Sequence, residues 1–433
     1  MSVTKTMNTA VSGLRAQQDA LGILGDNIAN ANTVGFKQSR AVFEDLLGNF
    51  SGGRTSVPGA GARLVRAQQI FSQGALKTTG MPNDLALSGD GFFVYQGKVD
   101  GFDGQFYSRD GSFVVNSEGL LVNAHGLRLQ GYSQANGTNF GGPIGDISVQ
   151  PLTLPPKETT TVDIVANLDA DASAFDATGG TNAFNPADPS NTSNFSTSVT
   201  IFDSQGNPHA LDVYFVRLNN GLVPPEPSND WEVHVLDGNT DVTGGATPPK
   251  LTFGSDGKLS NANVITTTPL VWSANNANSA ANAGITFNVG TGGLGITQYG
   301  SASSVSKQSQ DGYTAASLTG LDVTPDGTVN GIYSNSQKLA LGQLAVAKFA
   351  SNDGLSRSGH NLFSETLDSG QANLGAASSG GRGGIVSGAV EQSNVDIAAQ
   401  FVDMISYQRA FSANSKTITT ADELLVETVN LKR

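Results

Sequence analysis

The sequence predicts an α+β chain that is mainly β: terminal α-helices forming a coiled-coil-like pair, with nested antiparallel β domains comprising a β body and an inserted β sandwich or barrel. Three observations predict it. Apolar residues recur every seven positions at both ends of the chain. Asp-Gly dipeptides punctuate short apolar runs between those ends. Residues 151–300 differ in composition from the segments on either side. At 433 residues the chain has length for two to four domains with buried cores.

The first element is a helix over 1–30. Met7, Leu14, Leu21 and Ile28 are spaced by seven, with Val11 and Leu24 on adjoining rows. The last element, over 394–433, repeats the device with Ile397, Met404, Phe411, Ile418 and Leu425, supported by Phe401, Ile405, Val426 and Val429. Ser393 stands three residues before Asp396, close to a capping box, and Lys432 and Arg433 complement the helix dipole at the far end. Other positions on both helices, such as Gln17, Ser412 and Thr419, are polar but mostly uncharged, so these helices are expected to pack on several sides. An isolated amphipathic helix has nothing to bury its seam against. The ends should therefore pair with each other or with neighbouring copies, and periodicity alone leaves both open.

Segments 31–70 and 371–393 read as connections to a β body formed by 71–150 and 301–370. Runs such as Phe92-Phe93-Val94-Tyr95 and Leu344-Ala345-Val346-Ala347 read as strands, and Asp-Gly at 100–101 and 326–327 as hairpin turns. The insert, 151–300, holds 12 of the 16 prolines, both tryptophans, and 14 acidic against 4 basic side chains. Strand-like runs at 197–202, 211–218, 231–236 and 285–289 give it a β sandwich or barrel of its own. Residues 185–196 and 274–283 read as exposed loops.

Composition excludes several functions. The net charge is −13, which repels nucleic acid and anionic lipid. With no cysteine, disulfide frameworks, thiolate catalysis and iron–sulfur clusters are excluded. The N-terminal helix carries only Lys5 and Arg15 as cations before its break, too few for an anionic membrane surface. No stretch reads as a secretory signal or a membrane span, so the chain is expected to be cytoplasmic or exported without a cleaved signal peptide. Gly290 to Gly295 satisfies G-x-G-x-x-G, but 296–306 lacks helical periodicity and offers no helix N-terminus to a pyrophosphate, so no cofactor is expected. His209, Asp212, Glu232 and His234 could converge on a metal, yet alternating polar residues are what a half-solvated sheet requires, and no metal is expected. His125 and His360 sit in separate Gly-flanked turns. The acids of the insert could hide a glycosidase pair, but nothing marks one, and no enzyme activity is expected.

The segment Asp26-Asn27-Ile28-Ala29-Asn30-Ala31-Asn32-Thr33-Val34-Gly35-Phe36-Lys37 resembles the N-terminal signature of bacterial flagellar rod and hook proteins. Further blocks match that family: 83–93, 108–113, 118–120, 326–331, 341–345, Glu391 to Asp396 with Ser393, Asn394 and Val395, and the run through Gln408, Arg409, Ala410, Phe411 and Asn414. Asn83 and Ser336 depart from the usual pattern. The resemblance covers roughly 1–145 and 302–433, and a large insert between those ends matches the hook members rather than the distal rod members. It implies a structural subunit of the flagellar hook, self-assembling into a helical tube with the terminal helices around a central channel. It also implies distal rod, hook cap and hook-filament junction proteins as partners, the flagellar type III apparatus for export, and an extracellular place on the flagellum. Two alternatives stand beside this: a distal rod or hook-filament junction protein, and an extracellular glycan- or surface-binding module acting through Trp231 and Trp272.

Overall fold

The computed structural model describes residues 3–47, 59–135, 139–150, 152–177, 180–221, 226–244, 247–260, 264–272, 280–282, 284–290 and 295–430. The chain forms two units: unit 1 is Met1–Leu152, Thr319–Ile332 and Lys338–Arg433, and unit 2 is Thr153–Leu318 with Tyr333–Gln337.

Unit 1 begins with helix α1, Val3–Ala29, and ends with helix α2, Ile397–Asn430. The α2 start differs from the expected capping box. Asp396 Oδ1 accepts the backbone N–H groups of Ala398 and Ala399 at 2.9 and 3.2 Å, so Asp396 is itself the N-cap, while Ser393 Oγ accepts only Val395 N–H. Lys432 and Arg433 lie outside the described residues. After α1 come two antiparallel strands, β1 (Ser39–Leu47) and β2 (Gly59–Gln69), with Ala41 opposite Ala67 and Phe43 opposite Leu64. Strand β2 rests on α1: Ala62 N–H donates to Ser12 Oγ at 3.2 Å, and β1 reaches α2 through an edge-on contact of Phe43 with Tyr407.

The body of unit 1 is antiparallel. Phe92–Val99 and Phe102–Ser108 form a hairpin whose turn, Asp100-Gly101, has positive φ at both residues (48° and 93°), as an Asp-Gly hairpin turn requires. Strand Lys338–Lys348 pairs with Phe92–Val99, Arg128–Ala135 and Thr328–Tyr333. Beneath lies an aromatic core, with Phe92 touching Phe71, Phe349 and Phe363 at centroid distances of 5.6 to 5.9 Å.

Unit 2 is a sandwich of two sheets over one core. In Thr161–Asp169, residues Val162, Ile164, Ala166 and Leu168 are buried at every second position, facing Leu211, Val213 and Phe215 of Pro208–Asn219 and Trp231, Val233 and Val235 of Pro227–Asp237. Its pairing is not wholly antiparallel as expected: Thr161–Asp169 runs parallel to Thr286–Asn288 and to Thr297–Tyr299. Strand Ser304–Gln310, expected in the body, pairs with Thr161–Asp169 within unit 2, its backbone adding an antiparallel neighbour to this sheet. Ala280–Asn282, expected as loop, pairs with Leu270–Trp272, and 273–279 and 283 lie outside the described residues.

Candidate assembly interface

The two helices meet along a stripe of small residues. On α1, Ala10, Ala16, Ala20, Leu24 and Asn27 are buried, and Gly13 stands so close to Asn414 of α2 that a Cβ there would lie 2.9 Å from Asn414 Nδ2. The large residues expected in the seam, Met7, Val11, Leu14, Leu21 and Ile28, are all half-buried. Small side chains allow the close backbone approach seen at Gly13.

On α2 exposure is greater. Only Gln400 and Ala421 are buried, Met404, Ile418 and Leu425 are half-buried, and Ile397, Phe401 and Phe411 are exposed at 45%, 49% and 38%. Val402, Ile405 and Val426 are exposed as well. Among the described residues, nothing covers this apolar surface of the 34-residue helix.

The signature loop after α1 is where the two ends of the chain are tied. Asn30 Nδ2 donates to Asp26 O at 2.9 Å and its Oδ1 accepts from Thr33 Oγ1 at 3.1 Å, closing the helix end. Gly35 has φ +70°, and a Cβ there would overlap the backbone of Arg109 and Asp110, so glycine is required both by conformation and by space. Phe36 is buried, with the Arg357 guanidinium 5.5 Å from its ring centre. Ala29 is exposed and carries no such contact.

Next to it lies a buried ion cluster. Lys37 Nζ donates to Glu391 Oε1 at 2.6 Å, Arg109 Nη1 to Glu391 Oε2 at 3.1 Å, and Gly74 N–H to Glu391 Oε1 at 2.8 Å. Lys37 also donates to Ser72 O at 2.7 Å. Burial lowers the Lys37 pKa, against the attraction of Glu391, which raises it. Asn394 continues the seal: its Oδ1 accepts Gln38 N–H, and its Nδ2 donates to Ile70 O and Ser72 O. Asn27 donates to Gln400 Oε1 at 2.9 Å and to Ser39 O at 2.7 Å. Asn27, Gly35, Lys37 and Asn394 are thus structural ties, and Asn414 packs on Gly13. Gln408 and Arg409 are exposed, and Val395 is half-buried. Glu391, Arg109 and Gln400 complete the knot, though sequence reasoning did not select them. Their only signal is a charged or amide residue within or beside a matched block.

The remaining expectations about chemistry resolve simply. His125 and His360, placed in separate turns, meet with ring centres 4.5 Å apart and line a cleft of about 530 Å³ together with Asn30, Thr33 and Arg357. Of the four metal candidates, His234 and Glu232 approach to 3.8 Å, but they are bound up in other pairs. His209 Nε2 pairs with Asp203 at 3.0 Å, whereas His234 Nδ1 pairs with Asp241 at 2.8 Å and stacks on Phe184. Among the described residues no group of three or more such side chains is placed to hold a metal. Burial opposes the His234 cation, but hydrogen bonds and charge from Asp241 and Glu232 outweigh it and raise its pKa. Trp231 is fully buried in the sandwich core, and residues 291–294 of the glycine motif lie outside the described residues, as does the Trp272 side chain.

Over 432 residues, spanning 98% of this chain and 99% of the relative, the sequence is 36% identical to the flagellar hook protein FlgE of Escherichia coli strain K12. The chain belongs to the flagellar hook protein family. It is 34% identical to the Salmonella typhimurium hook protein FlgE across 99% of this chain and all of that one, and 33% identical to that of Borreliella burgdorferi across 99% of both. Family models match in the order of the fold. They are the flagella basal body rod protein at 7–37, the flagellar hook protein FlgE/F/G D1 domain at 86–167, the flagellar basal body protein FlaE D2 domain at 167–313, and the flagellar basal body rod FlgEFG C-terminal model at 386–431. Among solved structures, a Helicobacter pylori flagellar hook protein FlgE2 covers 71% of this chain, and the chain covers 98% of it, at TM-score 0.48 and 14% identity.

Proposed function

We propose that this chain is a structural, non-enzymatic subunit that self-assembles into the hook, a flexible tube carrying torque from the rod to the filament. The observation that carries the reading is the apolar face of α2, where Ile397, Phe401, Ile405 and Phe411 stay exposed among the described residues. Neighbouring copies supply the cover, so α1 and α2 with Met7, Val11, Leu14, Leu21, Ile28, Met404, Ile418 and Leu425 build the inner tube. Close-packed apolar contacts resist continuous deformation, which suits torque transfer, and residues 151–300 tune bending. The distal rod, cap and hook-filament junction proteins adjoin the tube ends. Export through the flagellar type III apparatus as an unfolded chain fits helices completed only on assembly.

The test is polymerisation of Leu21→Asp and Phe411→Asp subunits. Each is expected to abolish polymer while β circular dichroism stays at the parental value. Normal polymer from both variants would refute the reading. Antibodies against 151–300 should label the curved segment between basal body and filament; label on the rod or at the filament junction would reassign the chain within its axial family.

A further inference from the structure

The four histidines of the chain divide into two kinds. His209 and His234 each hold a ring nitrogen against an aspartate, at 3.0 and 2.8 Å. His125 and His360 lie side by side in unit 1, exposed, with ring centres 4.5 Å apart, and neither ring has a hydrogen-bond partner among the described residues. Asp100 Oδ1, 4.0 Å from His360 Nε2, is beyond hydrogen-bond reach. Both rings stand on braced turns. Asn123 Oδ1 accepts the backbone N–H groups of His125 and Leu127 at 3.0 and 2.9 Å, and Asn123 O accepts that of Gly126 at 3.0 Å. His360 has φ +51° and Asn361 φ +63°, two successive left-handed residues that only surrounding contacts sustain. Those contacts are Asn361 Nδ2 donating to Val34 O at 2.6 Å and Ser108 Oγ donating to Asn361 O at 2.8 Å. The two imidazoles are thus brought together before anything binds them, which lowers the ordering cost of a shared ligand.

We propose that His125 and His360 form a two-imidazole site for one divalent late transition ion, of the class of Zn²⁺, Ni²⁺ and Cu²⁺. The ring separation has the right size: two imidazoles bound to one ion at about 2.1 Å, about 90–110° apart, place their ring centres about 4.5–5 Å from each other. Imidazole nitrogen selects these ions, whereas Mg²⁺ and Ca²⁺ take oxygen ligands. Among the described residues no third histidine or carboxylate is grouped with the pair, so water fills the remaining positions in the cleft of about 530 Å³ that both rings line. The local charge suits a cation. Asp100 lies near His360 and Asp110 near His125, while Arg357, which lines the same cleft, is already paired with Asp26 at 3.0 Å. An ion bound there clips the turn around His125 to the turn around His360, and through Asn361 and Val34 to the signature loop after α1.

The test is calorimetric titration of untagged, folded monomer with NiCl₂, for the parent and for His125→Gln, His360→Gln and, as a control, His209→Gln. One ion per chain is expected in the parent, with affinity about a hundredfold weaker in either single variant of the pair, since each leaves one arm of a two-armed site. His209→Gln should bind as the parent does. The same isotherm in parent, His125→Gln and His360→Gln would overturn the site, and so would an equal loss in His209→Gln. A second measurement does not depend on how the variants fold. The electron paramagnetic resonance spectrum of the parent with one equivalent of Cu²⁺ should show hyperfine coupling to two imidazole nitrogens, and a spectrum of oxygen ligands alone would overturn the proposal.

Discussion

Unit 2 hides its large apolar side chains with the exception of Tyr299 among the described residues, whereas unit 1 exposes Ile397, Phe401 and Val402 on α2 and Leu367 on its body. The difference follows from what each has to pack against. Two sheets facing each other around Trp231 and Phe215 bury period-two residues from both sides, so unit 2 is complete by itself. The helix pair, with Gly13 against Asn414 and β2 resting on α1, still leaves Ile397, Phe401, Val402 and Ile405 of α2 exposed, and those bulky residues wait for another surface. Stability and assembly are thereby divided between parts of one chain.

The strongest way to break this contrast is through Glu391. Glu391→Ala strands the Lys37 ammonium and the Arg109 guanidinium without their shared carboxylate, where both side chains are buried. Removing one partner of a buried ion cluster costs about 3–5 kcal/mol, so the calorimetric transition of unit 1 should fall steeply while that of unit 2 holds. A parallel fall in both transitions would show that the two do not unfold separately. Lys37→Met with Arg109 retained should cost less, because one cation still faces the carboxylate.

A smaller effect is expected in the reverse direction. Trp231 is fully buried in unit 2, and its indole Nε1 has no hydrogen-bond partner among the described residues, so replacing it with leucine forfeits packing but no polar contact. Trp231→Leu should cost unit 2 about 2–4 kcal/mol through the cavity left behind, with polymerisation through the helices of unit 1 retained. Urea titration followed by the remaining tryptophan, together with a polymer assay, measures both at once. Loss of polymer without loss of unit 2 would place Trp231 in an interface instead.

These predictions use residues that differ in how far the sequence exposed them. Both helices were legible because a seven-residue apolar repeat is a local signal, and the Asp100-Gly101 hairpin because its dipeptide accepts positive φ. The packed face was not, since Ala10, Gly13 and Ala20 carry no large apolar signal and the bulky heptad does. Lys37 and Glu391 lie far apart along the chain, and only the fold brings them to 2.6 Å. Parallel pairing of Thr161–Asp169 was equally hidden, because side-chain alternation is the same in either strand direction. His125 and His360 meet for the same reason: their separate turns are neighbours only in three dimensions.

The finest test of the contrast is acid. In unit 2, burial would raise the Asp203 pKa, but hydrogen bonds from His209, Asn207 and Gln205 outweigh it and hold the carboxyl at about 2. In unit 1, burial of Asp110 pushes its pKa up, against hydrogen bonds from Ser112 that lower it. The signs oppose. A carboxyl depressed in the folded state contributes stability that is present above its unfolded pKa of about 4 and is lost as pH falls toward 2. A carboxyl raised in the folded state takes its proton more readily when folded, so over the same fall in pH it favours the fold. Asp203→Asn should therefore flatten the acid limb of the unit 2 transition, removing a pH-dependent contribution on the order of 1–2 kcal/mol between pH 4 and 2. Asp110→Asn should remove a contribution that partly protects unit 1 over the same range. Calorimetry of both variants at successive pH values reads the two limbs separately, and an acid limb of unit 2 unchanged by Asp203→Asn would assign its sensitivity to other carboxylates, Asp311 first, since hydrogen bonds from Thr160, Thr161 and Lys157 prevail over its burial and hold it at about 2 as well.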